Sequence, residues 1–113
     1  MIQVLHNSRC SKSREALAWL DERKINYETI DYLNEELTPF FLEDLLDKLG
    51  VEASEILRTN EAVWKENYQH LDLSEEELLM VMIEEPKLIQ RPIAIHGDLA
   101  VVARPAERLA EIL

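Results

Sequence analysis

The only thiol of the chain lies in a basic segment just before a predicted helix. Cys10 stands in VLHNSRCSKSREAL, and residues 6–14 of that stretch carry three cations and no acid. The cations are Arg9, Lys12 and Arg14. Backbone N–H groups at a helix N-terminus and nearby cations both stabilise a thiolate, whereas an unperturbed thiol is only a few per cent ionised at neutral pH. The segment favours an activated nucleophile over the small buried hydrophobic residue that a lone cysteine often is.

The same N–H groups and cations are suited to binding an oxyanion. The spacing from Cys10 to Arg14 is Cys-x3-Arg without a glycine, whereas tyrosine phosphatases use Cys-x5-Arg. A dithiol redox motif needs a cysteine at position 13, where this chain has Ser13. The protein therefore cannot resolve a mixed disulfide internally, and any redox cycle needs a thiol from outside.

Three further arginines stand in distinctive contexts. Arg58 follows the apolar stretch EIL, and Arg91 and Arg104 each directly precede a proline. A residue before proline is held extended, which fixes the direction of its backbone. Each arginine alone is typical of a surface ion pair. Together with Cys10, they would bind a tetrahedral oxyanion through several charge-assisted hydrogen bonds.

Composition limits the classes of protein to which the chain can belong. Its 113 residues fit one domain, and 47% hydrophobic content predicts a packed core. One cysteine excludes an internal disulfide, so we expect a cytoplasmic protein. A net charge of -11 argues against nucleic-acid binding, and no apolar run is long enough for a membrane span. One cysteine and three widely spaced histidines form no zinc-ligand pattern.

The beginning of the chain has the pattern strand–helix–strand. MIQVL reads as a strand, SKSREALAWLDERK as a helix with Ala16, Leu17 and Leu20 on one face, and INYETIDYL as a second strand. Because one helix separates the strands, they should be parallel with a right-handed crossover.

The block from about residue 38 to residue 85 is predicted to be almost wholly helical. Thr38 caps TPFFLEDLLDKLG and Gly50 ends it, while Ser74 and Glu77 form a capping-box pattern before ELLMVMIEEP. The patterns also predict Met80 in the core, and Phe40 and Phe41 as packing residues.

The end of the chain returns to strands. RPIAI and LAVVA flank a Gly97-Asp98 turn and predict an antiparallel hairpin, and RPAERLAEIL predicts a last helix. The order β-α-β, helical insert, β-β-α predicts a single α/β domain over residues 1–113 with a thioredoxin-like (glutaredoxin-like) fold. Its sheet is mixed and four-stranded, with the insert at about 38–85. In this layout the loop before the hairpin faces the first helix N-terminus, so Arg91 should approach Cys10.

Four segments, at their intervals in this chain, resemble the glutaredoxin-dependent arsenate reductase family and in particular its short, arsenate-reductase-like branch. The segments are HNSRCSKSR, EILR, RPI and ARP. The resemblance covers nearly the whole chain, including the helical insert. It implies that Cys10 is the catalytic nucleophile. It also implies three oxyanion-binding arginines, which are Arg58, Arg91 and Arg104.

Four residues are predicted to support the site. The resemblance implies that His6 influences the thiolate and that Ser13 hydrogen-bonds it, and the basic side chain of Arg14 adds positive potential. Pro92 falls where thioredoxin-like folds usually carry a cis-proline, so we predict a cis Arg91–Pro92 bond.

The implied activity is the reduction of arsenate to arsenite through a covalent cysteine–arsenic intermediate. Glutathione would be a co-substrate and glutaredoxin a protein partner, with no bound cofactor and no metal, and we expect a monomer. The alternative is a glutathione-linked thiol oxidoreductase, or a non-catalytic interaction or regulatory protein on the same scaffold. The regulators of this scaffold that bind RNA polymerase typically use a Cys-x-x-Cys switch, which Ser13 removes here.

Overall fold

The computed structural model describes all 113 residues, which form two compact units. Met1–Glu35 and Arg91–Leu113 form the first, called the sheet unit here, and Glu36–Gln90 forms the second, called the helical unit. That residues 1–113 behave as a single domain stays a prediction.

The sheet unit contains one mixed four-stranded sheet. Its strands are β1 (Ile2–Leu5), β2 (Tyr27–Ile30), β3 (Ile93–His96) and β4 (Leu99–Val102). The strand order is β2-β1-β3-β4, with β1 and β2 parallel and the other pairs antiparallel. The predicted α/β class, the parallel first pair and the C-terminal hairpin are confirmed. At the hairpin turn, Gly97 adopts a φ of 62°, in the left-handed region that favours glycine.

The core of the sheet unit joins strands from both ends of the chain to α1 (Ser11–Glu22). The buried face of α1 includes Ala16 and Leu20, as the helical spacing predicts, while Leu17 is only partly buried. The remaining buried members are Ile2, Val4, Ala94, Val101, Ala103, Leu109 and Ile112. The last segment, Ala106–Ile112, is a 3-10 helix, with Pro105 as its N-cap.

The helical unit contains α2 (Pro39–Leu49), α3 (Ala62–Asn67) and α4 (Glu75–Glu84). Two short 3-10 helices, Ala53–Ile56 and Pro86–Leu88, lie between and after them. Helices α2 and α4 pack against each other. Their buried side chains are Leu42, Leu45, Leu46, Leu78, Leu79 and Met82.

The predicted ends of these helices are confirmed in atomic detail. The Thr38 hydroxyl accepts a hydrogen bond from the N–H of Phe41 at 3.1 Å, and Gly50 ends α2 with a φ of 70°. At the start of α4, Ser74 and Glu77 each accept a hydrogen bond from the other's N–H, at 3.1 and 3.0 Å. Local sequence alone was enough to locate these ends, because the N-caps satisfy N–H groups and Gly50 satisfies carbonyls of the adjacent turn.

Two of the predicted packing positions are wrong. Met80 is 47% exposed, and the buried methionine is its neighbour Met82. The buried side of α4 is set by Leu78, Leu79 and Met82, and at 100° per residue position 80 lies on the opposite side. Phe40 is 82% exposed, because at 100° per residue it lies on the side of α2 opposite the buried Leu42, Leu45 and Leu46.

The longest α-helix has 12 residues, and no helix is long and apolar enough to span a bilayer.

Candidate active site

Cys10 occupies the N-cap of α1, where the sequence predicts it. Its backbone is extended, with φ −99° and ψ 121°, and its N–H donates to the carbonyl of Asn7 at 2.9 Å. Its own carbonyl accepts the first helical hydrogen bond, from the N–H of Arg14 at 3.1 Å. The thiol is only partly buried and forms no conventional side-chain cap. A reagent can therefore reach the sulfur at the positive end of the helix.

Several groups compete over the ionisation of this thiol. Burial raises the pKa of Cys10, but four hydrogen bonds to the sulfur outweigh it and bring the pKa down to about 7. The donors are the N–H of Ser13, the side chain of Arg91, the N–H of Lys12 and the hydroxyl of Ser13. At neutral pH the thiolate fraction is therefore far larger than the few per cent of an unperturbed cysteine. The position of Arg91 agrees with the approach to Cys10 that the thioredoxin-like layout predicts.

Arg91 and Arg104 lie close together at the base of the hairpin. The Nη1 atom of Arg104 donates to the carbonyl of Arg91 at 3.3 Å, and the N–H of Ala103 donates to the carbonyl of Pro92 at 2.9 Å. The predicted cis Arg91–Pro92 bond is confirmed, and the bond between Arg104 and Pro105, for which no prediction was made, is also cis. The base of the hairpin thus carries two guanidinium groups, and that of Arg91 hydrogen-bonds the Cys10 sulfur.

Ser13 is fully buried and joins the sulfur to the loop before it. Its oxygen accepts a hydrogen bond from the N–H of Asn7 at 3.4 Å, and its hydroxyl is a donor to Cys10. Sequence reasoning missed Asn7. Its side-chain oxygen also accepts from the N–H of Arg9, at 3.0 Å, so one asparagine holds the loop at three points. The available signal was an asparagine in the loop between the first strand and the first helix. The side chain of such an asparagine can accept the N–H two residues on, here that of Arg9, and form an Asx-turn.

His6 precedes the cysteine loop and Arg14 follows it in α1. Burial lowers the pKa of His6, the carboxylate of Asp31 opposes this, and the charge of Arg14 adds to it. The Nη1 atom of Arg14 donates to the carbonyl of Ser8 at 2.7 Å, so this side chain braces the loop. Asp31 follows β2 directly and is a charged neighbour of His6 that the sequence did not reveal.

Arg58 belongs to the helical unit and is described within it. Its Nε atom donates to the carboxylate of Glu61 at 3.3 Å, and both side chains are mostly shielded from solvent. Its backbone N–H donates to the carbonyl of Leu88 at 2.8 Å, beside an isolated bridge between Leu57 and Ile89. Glu61 is thus a carboxylate partner that the sequence did not reveal, and the oxyanion-binding role of Arg58 stays a prediction.

Comparison with known proteins identifies the family. Residues 5–112 match the ArsC family. The chain is 40% identical to the uncharacterised protein YfgD of Escherichia coli K12, over 99% of this chain and 96% of that protein. It is 39% identical to an arsenate reductase of Haemophilus influenzae, with 97% of each chain covered.

A solved structure, the arsenate reductase from Vibrio cholerae, agrees with the fold at a TM-score of 0.92. It is 38% identical, and the comparison covers 99% of this chain and 97% of that one. The resemblance read from the cysteine loop and the arginine contexts is therefore confirmed at the level of the family, and the chain belongs to the ArsC family.

Proposed function

We propose that the protein is an arsenate reductase that uses Cys10 as its nucleophile. The observation that carries the proposal is the thiol itself, which is accessible, is placed at a helix N-terminus and has a pKa lowered to about 7 by hydrogen bonds to its sulfur. Relatives that match the chain almost end to end are named arsenate reductases, which supports arsenate as the oxyanion. A thiolate surrounded by N–H donors and a guanidinium is suited to attack an anionic electrophile.

In the first step, the Cys10 thiolate attacks the arsenic of arsenate. A sulfur–arsenic bond forms, and one arsenate oxygen leaves as water after taking up protons. Arsenic remains As(V) in this ester. The side chains of Arg91 and Arg104, both at the base of the hairpin, would neutralise the oxyanion, since a guanidinium donates two parallel hydrogen bonds to such groups. Arg58 enters the proposal through the family resemblance alone.

The two electrons come from thiols that the chain does not contain. Cys10 is the only cysteine, so no internal disulfide can form. In the proposed sequence, glutathione adds to the arsenic and a second water leaves. A glutaredoxin thiol then attacks the glutathione sulfur, giving a mixed disulfide as As(V) becomes As(III). Water releases arsenite and returns the Cys10 thiol.

The remaining components of the proposal follow from this chemistry. Free glutathione and reduced glutaredoxin are abundant only where thiols are kept reduced, so the protein would work in the cytoplasm. The expected monomeric state is a separate part of the proposal. Glutathione is a co-substrate here, and the reaction needs neither a bound cofactor nor a metal.

The test is arsenite formation from arsenate in the presence of glutathione, glutaredoxin and a coupled NADPH readout. Wild type is compared with Cys10→Ser, which keeps the size of the side chain and removes the nucleophile. We expect turnover in wild type and none above background in the variant. Equal turnover in both proteins would contradict the proposal.

A third outcome is equally informative. If wild type does not reduce arsenate but its thiol still ionises near pH 7, the nucleophile is correct and the substrate is not. The glutathione-linked thiol oxidoreductase on this scaffold would then be tested with mixed disulfides as substrates. A non-catalytic interaction role predicts that the Cys10→Ser protein functions normally in cells.

A further inference from the structure

The loop that precedes Cys10 is closed by one residue, Asn7. Its carbonyl accepts the N–H of Cys10 at 2.9 Å, which completes a β-turn over residues 7–10. Its side-chain Oδ1 accepts the N–H of Arg9 at 3.0 Å, which adds an Asx-turn inside the same β-turn. Asn7 therefore accepts the backbone N–H groups of both residues at the end of the loop, Arg9 and Cys10.

The turn determines which N–H groups face the sulfur. The N–H of Cys10 donates to the carbonyl of Asn7, so this N–H is already used within the turn. The N–H groups left at the start of α1 include those of Lys12 and Ser13, and both act on the sulfur. A change in the turn would rotate the N-cap residue and carry its sulfur away from both donors.

Asn7 also orients the hydroxyl of Ser13. Its N–H occupies a lone pair of the Ser13 oxygen at 3.4 Å, and Ser13 is 0% exposed, so water does not compete for the hydroxyl. With its acceptor side occupied, the hydroxyl proton is directed to the Cys10 sulfur. A buried hydroxyl held in this way is a fixed donor, which stabilises a thiolate more than a freely rotating one does.

We propose that Asn7 is a positioning residue for the reactive thiol, because its side chain holds the loop in the form that presents two backbone N–H groups and the Ser13 hydroxyl to Cys10. The inference rests on the proposed role of Cys10 as the nucleophile. Asn7 would act on the sulfur indirectly. Its side chain stabilises the turn, and the turn places the backbone N–H of Asn7 against the Ser13 oxygen.

The experiment measures the rate of Cys10 alkylation by iodoacetamide from pH 5 to pH 10. The chain has one cysteine, so the signal has a single source. Asn7→Ala removes the acceptor of the Arg9 N–H, and Asn7→Ser restores a shorter neutral acceptor. Asn26→Ala, at an exposed asparagine of the same unit, is the matched control.

We expect Asn7→Ala to lower the alkylation rate at pH 7 about fivefold while leaving the plateau at high pH unchanged, because only the ionised fraction falls. The midpoint of the profile should move to higher pH, Asn7→Ser should recover part of the shift, and Asn26→Ala should match wild type. A lower melting temperature with an unchanged midpoint would show that Asn7 only stabilises the fold, and would overturn the proposal.

Equal shifts in Asn7→Ala and Asn26→Ala would overturn it as well. If Asn7→Ala does not fold, Asn7→Ser decides, since an unchanged midpoint in that variant contradicts the inference. The alkylation assay contains no arsenate. A failure of the proposed reductase activity would therefore leave this test intact, and the two failures can be told apart.

Discussion

The sheet unit and the helical unit differ sharply in charge. The sheet unit carries eight Lys and Arg against nine Asp and Glu, a net charge of −1, whereas the helical unit carries four against fourteen, a net charge of −10. The acidity of the whole chain is therefore almost entirely a property of the helical unit. The loop with the reactive thiol belongs to the unit whose charges nearly balance, which avoids concentrating negative charge around a thiolate.

The two units also differ in how they are held together. The ends of α2 and α4 are fixed by caps between residues three apart in sequence, such as Ser74 and Glu77. The sheet unit depends on pairing between β1 and β3, near opposite ends of the chain. Arg91 reaches Cys10 by the same pairing. The helix ends of the helical unit are thus set by contacts between residues close in sequence, whereas the site in the sheet unit depends on contacts between residues far apart in sequence.

The largest expected effect is on activity in the sheet unit. Arg91→Ala removes a hydrogen-bond donor to the thiolate and one of the guanidinium groups proposed to bind the oxyanion. We expect the kcat/KM for arsenate to fall about a thousandfold, since each preorganised donor of this kind is worth roughly 10²–10³ in rate. The measurement is steady-state turnover in the coupled assay.

Two single-site controls sharpen this comparison between the units. Arg108→Ala removes an exposed cation of the sheet unit that pairs with Glu111, and Lys65→Ala removes an exposed cation of the helical unit. Both variants should keep turnover within about twofold of wild type, because an exposed ion pair contributes little and neither cation is among the groups that act on the Cys10 sulfur. A loss in Lys65→Ala comparable to that of Arg91→Ala would show that the effect of Arg91→Ala is not specific to a group that contacts the thiolate.

The next effect concerns stability and uses one buried leucine from each unit. Leu20 in α1 and Leu42 in α2 are both 0% exposed. We expect each change to alanine to lower the free energy of unfolding by about 3 kcal/mol, from lost burial and the cavity left behind. Urea unfolding should be followed by fluorescence, because Trp19 lies in the sheet unit and Trp64 in the helical unit.

Single-tryptophan backgrounds, Trp64→Phe and Trp19→Phe, give each unit its own reporter. Because the chain is predicted to be one domain, both reporters should unfold at the same urea concentration, and each leucine change should shift them together. If Leu42→Ala shifted only the Trp64 transition, the units would unfold independently and the single-domain prediction would be wrong.

The smallest effect is a pH dependence that belongs to the sheet unit alone. The folded protein has a Cys10 pKa of about 7, below that of an unfolded thiol. A depressed pKa adds stability that is fully present above the unfolded pKa and is lost as pH falls through the folded value. The stability of wild type relative to Cys10→Ser should therefore rise by about 1 kcal/mol from pH 7 to pH 9, a value reduced for the partial exposure of the thiol.

The measurement is urea unfolding of both proteins across this pH range. His6 does not interfere, because its lowered pKa places its titration below pH 7. A constant difference between wild type and Cys10→Ser would mean that the folded structure does not favour the thiolate.

The sequence by itself determined the order of strands and helices, the caps of α2 and α4, and the cysteine at the N-cap of α1. These features depend on hydrogen bonds and periodicities within a few residues, which local sequence specifies. It also indicated the family, because the residue types and intervals of the cysteine loop and the arginine–proline pairs are those of that family. The buried side of α4 was predicted wrongly at Met80. Met80 and Met82 are two residues apart and therefore lie on opposite sides of the helix, and the structure buries Met82.

Only the tertiary structure decided how the thiol is activated. It brought the Arg91 side chain to the sulfur, buried Ser13 completely and used Asn7 to hold the turn. It also gave His6 its charged neighbours Asp31 and Arg14. The physical reason is that the pKa of a group depends on burial and on donors that arrive from distant parts of the chain, and no local pattern of residue types records where a folded backbone will bring them.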